Sequence, residues 1–170
     1  PIEETLGAHA ALVKAGKVRA IGASNYGAAR LKASLDASAE AGIPRYETLQ
    51  PHYNLCDRKD FEGEVQDLCV KEGVGVIPYY SLASGFLTGK YRSEADLGTK
   101  ARAAGVRKYV NERGFGILKA LDGVAERHKA TQAQVALAWM LAQPAISAPI
   151  ASATSTAQLT DILKCASLKL

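Results

Sequence analysis

Side chains able to hydrogen-bond a ligand collect where four apolar, strand-like segments of this 170-residue sequence end. Ser24 and Asn25 close the first, Gln50 sits on the second, Tyr79 and Tyr80 end the third, and Ser152 and Thr154 follow the fourth. Hydroxyl and amide groups can each donate and accept, and a tyrosine joins a flat apolar ring to a polar tip. Each position alone also has an ordinary reading. Asn25-Tyr26-Gly27 fits turn chemistry, Gln50 ahead of Pro51 fits a plain hydrogen bonder, and the tyrosines fit core residues with a wet hydroxyl. Polar groups at all four ends carry more weight, because in a parallel barrel those ends converge on the face where sites are built.

Charge points toward an anionic ligand. The formal net charge is +4. Residues 90–113 hold the bases Lys90, Arg92, Lys100, Arg102, Arg107, Lys108 and Arg113 against the acids Glu94, Asp96 and Glu112, an excess equal to that of the whole chain. A basic segment confined to one loop suits a phosphorylated small molecule. No stacking aromatics or nucleic-acid motif accompanies it, so nucleic acid is not an expected partner.

These residues need elements to position them, and strand-like and helix-like stretches alternate throughout. Leu6, Ala10 and Val13 follow helical spacing up to Gly16, and residues 18–23 read as a buried strand. Leu31 and Leu35 mark a helix ending near Gly42; residues 46–53 carry a second strand; Phe61, Val65 and Leu68 give a helix that stops at Gly73. Residues 74–80 form a third strand, and helices over 116–128 and 132–142 follow the basic loop. Thr131 and Gln134 form a capping box for the second of these. A short fourth strand at 146–151 and a last helix at 157–164 complete the chain.

Such alternation implies about four parallel strands with flanking helices in an α/β architecture. The G-x-G spacings at Gly73-Val74-Gly75 and Gly114-Phe115-Gly116 lack the third glycine and the strand-then-helix setting of a dinucleotide fingerprint. Both are read as turn glycines, which argues against a Rossmann domain. The length suits one domain, residues 1–170. No apolar run approaches the roughly 20 residues that span a bilayer, and no signal-peptide pattern is present. Cys56, Cys69 and Cys165 show no metal-ligand spacing, and their odd number argues against a disulfide framework, so a reduced, cytoplasmic setting is expected. Pro1 with Glu3 and Glu4 makes a good first helical turn, with proline at N1, yet lacks a capping residue before it. The expectation is a chain that starts inside a larger design.

Several motifs in order carry a resemblance. Gly22-Ala23-Ser24-Asn25-Tyr26, Gln50-Pro51-His52-Tyr53-Asn54 and Pro78-Tyr79-Tyr80-Ser81-Leu82-Ala83-Ser84-Gly85-Phe86-Leu87-Thr88-Gly89-Lys90-Tyr91 resemble consecutive signatures of the aldo-keto reductase superfamily. Ala130-Thr131-Gln132-Ala133-Gln134-Val135-Ala136-Leu137-Ala138-Trp139, and Ala148-Pro149-Ile150 through Gln158-Leu159, continue the similarity. The resemblance implies the C-terminal half of a (β/α)8 TIM barrel that reduces aldehydes and ketones to alcohols with NADPH. It implies that Ser24, Asn25 and Gln50 bond the nicotinamide carboxamide and that Tyr79, or its neighbour Tyr80, stacks beneath the ring; alignment back from Gly85 favours Tyr79. Leu82, Ser84, Gly85 and Lys90 would line the pyrophosphate path. Ser152, Thr154, Gln158 and Asp161 would surround the adenosine, with Arg102 a candidate for the 2′-phosphate.

Departures fall at the adenosine end. Ser152 stands where the family usually has glycine, and Ile162 where an asparagine often contacts adenine; Ser155 and Gln158 also fit a capping box. The family's catalytic aspartate, tyrosine, lysine and histidine come from the first four strands, upstream of the segment that Pro1 opens. His9 and His128 read as surface residues on helices, and His52 lies next to the site. No residue here is assigned as general acid. The alternatives are a non-catalytic NADP(H)-binding regulatory module, like the family's potassium-channel auxiliary subunits, and a half-barrel that assembles with another chain, either the missing N-terminal half or a second copy. Unpaired strand edges favour association. Residues 1–170 alone are expected to give little or no turnover of 4-nitrobenzaldehyde when NADPH absorbance is followed; turnover typical of a carbonyl reductase would show that the upstream residues are dispensable.

Overall fold

The computed structural model describes residues 1–98 and 103–170. Three parallel strands, β1 (Ile21–Ser24), β2 (Tyr46–Gln50) and β3 (Gly75–Val76), lie side by side in that order. Helix α1 (Ile2–Lys14) precedes β1, while α2 (Ala28–Ala41) and α3 (Glu64–Glu72) connect the strands. The chain continues through α4 (Ala103–Val106), α5 (Glu112–His128), α6 (Gln132–Leu141) and α7 (Thr156–Leu163). Among the described residues, no helix is long and apolar enough to cross a membrane.

Register places the polar strand ends in one row. Ser24 pairs with Gln50, and a parallel bridge between His52 and Tyr79 extends the β2–β3 pairing beyond the ladder. The third strand is shorter than the apolar run of residues 74–80, because Pro51 brings no N–H to the pairing with β2 and Pro78 none to the segment on the other side. The expected fourth strand is reduced to one parallel bridge, Val76 to Ile146. Its segment still follows β3: the Val76 amide donates to the Ala145 carbonyl at 2.9 Å, Ser147 to Val76 at 2.8 Å, and Ile150 to Pro78 at 2.9 Å. Pro149 interrupts the donors between them.

Local chemistry sets the helix ends. Gly42 (φ 62°) and Gly73 (φ 64°) close α2 and α3 in the left-handed conformation, where a side chain would be strained. The capping box of α6 forms as expected: Thr131 Oγ1 accepts from the Gln134 amide at 3.3 Å, and Gln134 Oε1 accepts from the Thr131 amide at 3.2 Å. Pro1 occupies the capping position of α1 rather than its first turn.

Helix α5 begins at Glu112, earlier than the glycine spacing suggests, because Asn111 Oδ1 caps it by accepting from the Gly114 amide at 2.9 Å. Gly114 and Gly116 therefore lie inside a helix and are not turn glycines. Gly114 is required by packing, since a Cβ there would run into the Tyr109 carbonyl and meet Phe86 Cζ at 3.0 Å. Gly75 is likewise a strand residue, against which Ser147 packs too closely for a side chain.

Two apolar clusters form the core. One, including Leu6, Leu31, Leu49, Phe61, Val76 and Met140, lies between the sheet and α1, α2, α3 and α6. The other, including Phe86, Leu87, Tyr91, Val106, Leu118 and Val135, joins α4, α5 and α6 to the turn Ala83–Thr88. Burying side chains of this size stabilises by about 1.5–3 kcal/mol each. His128 is exposed, but His9 is half-buried against Tyr46 with its Nδ1 enclosed, which corrects its reading as a surface residue.

The two α5 glycines give opposite expectations. Gly114→Ala should destabilise by about 1–3 kcal/mol through overpacking. Gly116→Ala, with nothing near its Cβ, should stabilise by about 0.5–1 kcal/mol. Urea midpoints measure both, and equal shifts for the two would contradict this packing.

Candidate functional site

A cleft of about 950 Å³ opens at the strand ends. It runs from Tyr79 and Tyr80, past Leu82, Ser84, Gly85 and Lys90, to Ser152, Gln158 and Asp161. Nine of the residues expected at a cofactor site thus line one cavity. Ser24, Asn25 and Gln50 stand beside it in the same row of strand ends. Thr154 reaches it through Gln158, whose Oε1 accepts from the Thr154 amide at 2.9 Å and hydroxyl at 3.0 Å. Arg102 and Lys100 lie outside the described residues.

Tyr79 is fixed from two sides. Its hydroxyl donates to Asn25 Oδ1 at 3.0 Å, and the His52 ring stacks on it with centroids 5.4 Å apart and planes 21° apart. Tyr80 is 57% exposed and touches both rings edge-on. Of the two tyrosines, Tyr79 is the immobilised one. The Ser24 hydroxyl and the Asn25 amide both donate to the Gln50 carbonyl, at 3.0 and 3.1 Å, which ties β1 to β2 at the site. The Gln50 side-chain amide has no partner among the described residues, so both its donor and its acceptor are available.

The turn after Tyr79 carries unusual backbone. Tyr80 (φ 55°), Ala83 (φ 50°) and Ser84 (φ 57°) occupy the left-handed region without being glycine, and Gly85 follows at φ 96°. Such residues cost about 1–3 kcal/mol each and persist only when their surroundings hold them. Here the Tyr80 carbonyl accepts from the Ala83 amide at 2.7 Å and from Asn54 Nδ2 at 3.1 Å.

Internal pairing uses most of the basic segment. Arg92 makes a two-pronged contact to Asp122 at 2.7 and 2.8 Å, Arg107 meets Glu94 at 3.2 Å, Lys108 meets Asp57 at 3.4 Å, and Arg113 donates to the Cys56 carbonyl at 2.8 Å. Lys90 lines the cleft with no carboxylate partner among the described residues. It is the exposed cation there, 3.3 Å from the position a Cβ on Gly85 would take.

The end of the cleft at Ser152, Gln158 and Asp161, where the sequence resemblance implies adenosine, is more self-contained. Asp161 accepts from the Thr131 hydroxyl at 3.1 Å and from Gln134 Nε2 at 2.6 Å. Ser155 caps α7 by accepting from the Gln158 amide at 3.2 Å, but the Gln158 side chain turns to Thr154, so the expected Ser155–Gln158 box is only half formed.

Sequence reasoning missed Asp57. One of its oxygens receives His52 Nε2 at 3.0 Å, Asn54 Nδ2 at 3.2 Å, Lys108 Nζ at 3.4 Å and the Tyr109 hydroxyl. Burial alone would raise its carboxyl, but the Tyr109 hydroxyl, the Asn54 amide and the Lys108 and His52 charges hold it below the ordinary carboxylate range. The available signal was Asn54 three residues before an aspartate, the spacing of a side-chain-to-backbone turn. Thr131 and Ile150, which also line the cleft, carried no such signal. Cys56 is no nucleophile, because burial pushes its thiol up to about 12.

The chain matches known proteins along its whole length. A soybean protein, "Probable aldo-keto reductase 1", is 34% identical over 174 residues, covering 100% of this chain and 48% of its own length. The Escherichia coli L-glyceraldehyde 3-phosphate reductase is 30% identical over 167 residues, covering 95% of this chain and 48% of its own. The crystal structure of the thermostable aldo-keto reductase Tm1743, a complex with the inhibitor epalrestat, superposes with a TM-score of 0.75 at 29% identity, covering 100% of this chain and 51% of that one. This chain therefore spans about half the length of the relatives it matches, and its strands and helices correspond to half of a TIM barrel. The family model for the aldo/keto reductases matches residues 1–170, and the chain belongs to that family.

Proposed function

We propose that this chain forms the cofactor-holding side of an NADP(H)-dependent oxidoreductase that reduces aldehydes and ketones to alcohols. The observation carrying this reading is the order of chemistry along one cleft: an immobilised aromatic face at Tyr79, an unneutralised cation at Lys90, and hydroxyl and amide groups at Ser152 and Gln158. That order suits a molecule with a flat heteroaromatic head, a phosphate middle and a polar nucleoside tail. Gly85 supports the fit, because its bare, left-handed backbone beside Lys90 leaves room for a phosphate to approach.

Bound there, the reduced nicotinamide would supply a hydride to the carbonyl carbon. The chain's own residues orient it. Tyr79, held by Asn25, offers the floor for the ring. Gln50 can both donate to and accept from a carboxamide. Ser24, whose proton is already given to the Gln50 carbonyl, is left as an acceptor for the carboxamide NH2. Lys90 supplies positive charge to the phosphates. The proton for the carbonyl oxygen is proposed to come from upstream residues of the barrel. The outer edge of β1 and the segment at 146–150 are the sheet edges where that portion, as a partner half, would pair.

Calorimetry on the full-length protein tests this. NADPH should bind saturably and more tightly than NADH, and Lys90→Met should weaken NADPH about tenfold while flattening its salt dependence, as expected for one lost charge contact. Absence of saturable binding, or unchanged affinity in Lys90→Met, would overturn the reading.

A further inference from the structure

Beneath Tyr79 lies a set of groups that the proposed binding role does not use. His52 is stacked flat on the Tyr79 ring, and its Nε2 faces Asp57 at 3.0 Å. Tyr80 meets the same imidazole edge-on at 5.5 Å. Asp57 is anchored in turn by Asn54, by Lys108 at 3.4 Å and by Tyr109. The last two belong to the turn Arg107–Tyr109, on the far side of the basic segment. The platform on which the nicotinamide would rest is therefore backed by an imidazole, and the imidazole by a carboxylate.

We propose that His52, held by Asp57, is a positioning residue for Tyr79 whose charge sets how strongly the site prefers reduced over oxidised cofactor. The inference rests on the reading of the cleft as an NADP(H) site. Charged and titratable groups around the imidazole are Asp57 on its own loop, Lys108 and Tyr109 from the Arg107–Tyr109 turn, and Tyr79 and Tyr80 from the segment after β3. Histidine is the side chain that ordinarily changes charge between pH 5 and 8. Asp57 stays ionised there, since its carboxyl lies below its usual range.

The sign follows from counting charge. With His52 neutral, Asp57 and Lys108 offset one another and the cluster carries no net charge; with His52 protonated, it carries one positive charge. The oxidised nicotinamide ring is a cation and the reduced ring is not. A positive charge added one ring away disfavours the cationic, oxidised form, so protonating His52 shifts the preference toward the reduced cofactor. Screening by water and salt reduces the effect at this remove to about threefold. The 2′-phosphate also titrates in this range, but it is common to both forms and cancels in their ratio.

Calorimetric affinities of the full-length protein for NADP+ and NADPH at pH 6.0 and 8.0 test the inference. The ratio of the NADP+ to the NADPH dissociation constant should be about threefold larger at pH 6.0 than at pH 8.0. In His52→Gln, which keeps a hydrogen-bonding side chain but cannot titrate, the ratio should not change with pH. If both cofactors bind and the wild-type ratio is flat, or if His52→Gln retains the same pH dependence, His52 does not have this role and the cleft assignment stands. If neither cofactor binds at either pH, the cleft assignment and this inference fall together.

Discussion

The site depends on one buried side chain. Asn54 is fully enclosed, and all four of its hydrogen-bonding positions are used. Its Oδ1 accepts from the Cys56 amide at 2.8 Å and the Asp57 amide at 3.0 Å, and its Nδ2 donates to the Tyr80 carbonyl at 3.1 Å and to Asp57 at 3.2 Å. A buried amide with any of these unmade would cost about 1–3 kcal/mol. Its satisfaction thus forces three things together: the turn after β2, the placement of Asp57, and the left-handed backbone at Tyr80. The consecutive left-handed residues that shape the middle of the cleft follow from that pinned carbonyl. Local strain there is sustained by a network that has no slack.

Electrostatics divides along the same line. The basic segment reads in sequence as a net positive loop, but folding pairs Arg92, Arg107 and Lys108 with carboxylates and ties Arg113 to a carbonyl. Exposed pairs of this kind add little stability, yet they offset the charges of Arg92, Arg107 and Lys108. Among the described residues, the base of this segment that remains toward the cleft is Lys90.

Elements governed by local rules were legible in the sequence; those governed by contacts between distant segments were not. Strand–helix alternation, the left-handed stops at Gly42 and Gly73 and the Thr131–Gln134 box arise within single elements, and the parallel order follows from that alternation. Gly114 misled because its reason is the Tyr109 carbonyl and the Phe86 ring rather than a turn. The fourth strand misled because an apolar run does not reveal how many amides a proline removes from the ladder. In the site, residue types at strand ends identified Tyr79 and Asn25, which the structure joins. Asp57 left only the local trace of Asn54 three residues earlier, because its partners Lys108 and Tyr109 are more than fifty residues away.

The two ends of the cleft differ in what ligand binding would disturb. At the Tyr79 end the oriented groups are complete before any ligand arrives, and Gln50 and Lys90 have capacity free. At the other end Gln158 is engaged by Thr154, and Asp161 is engaged by Thr131 and Gln134, the two residues that cap α6. A ligand that recruited Asp161 there would compete with the start of α6 and the loop before α7. On the proposed reading, selectivity for a nucleoside tail would be coupled to how firmly those helix ends are held, whereas selectivity for the head group would be set by a rigid platform. Preorganisation of this kind reduces the ordering cost of binding, and it is concentrated where a hydride would have to be aimed.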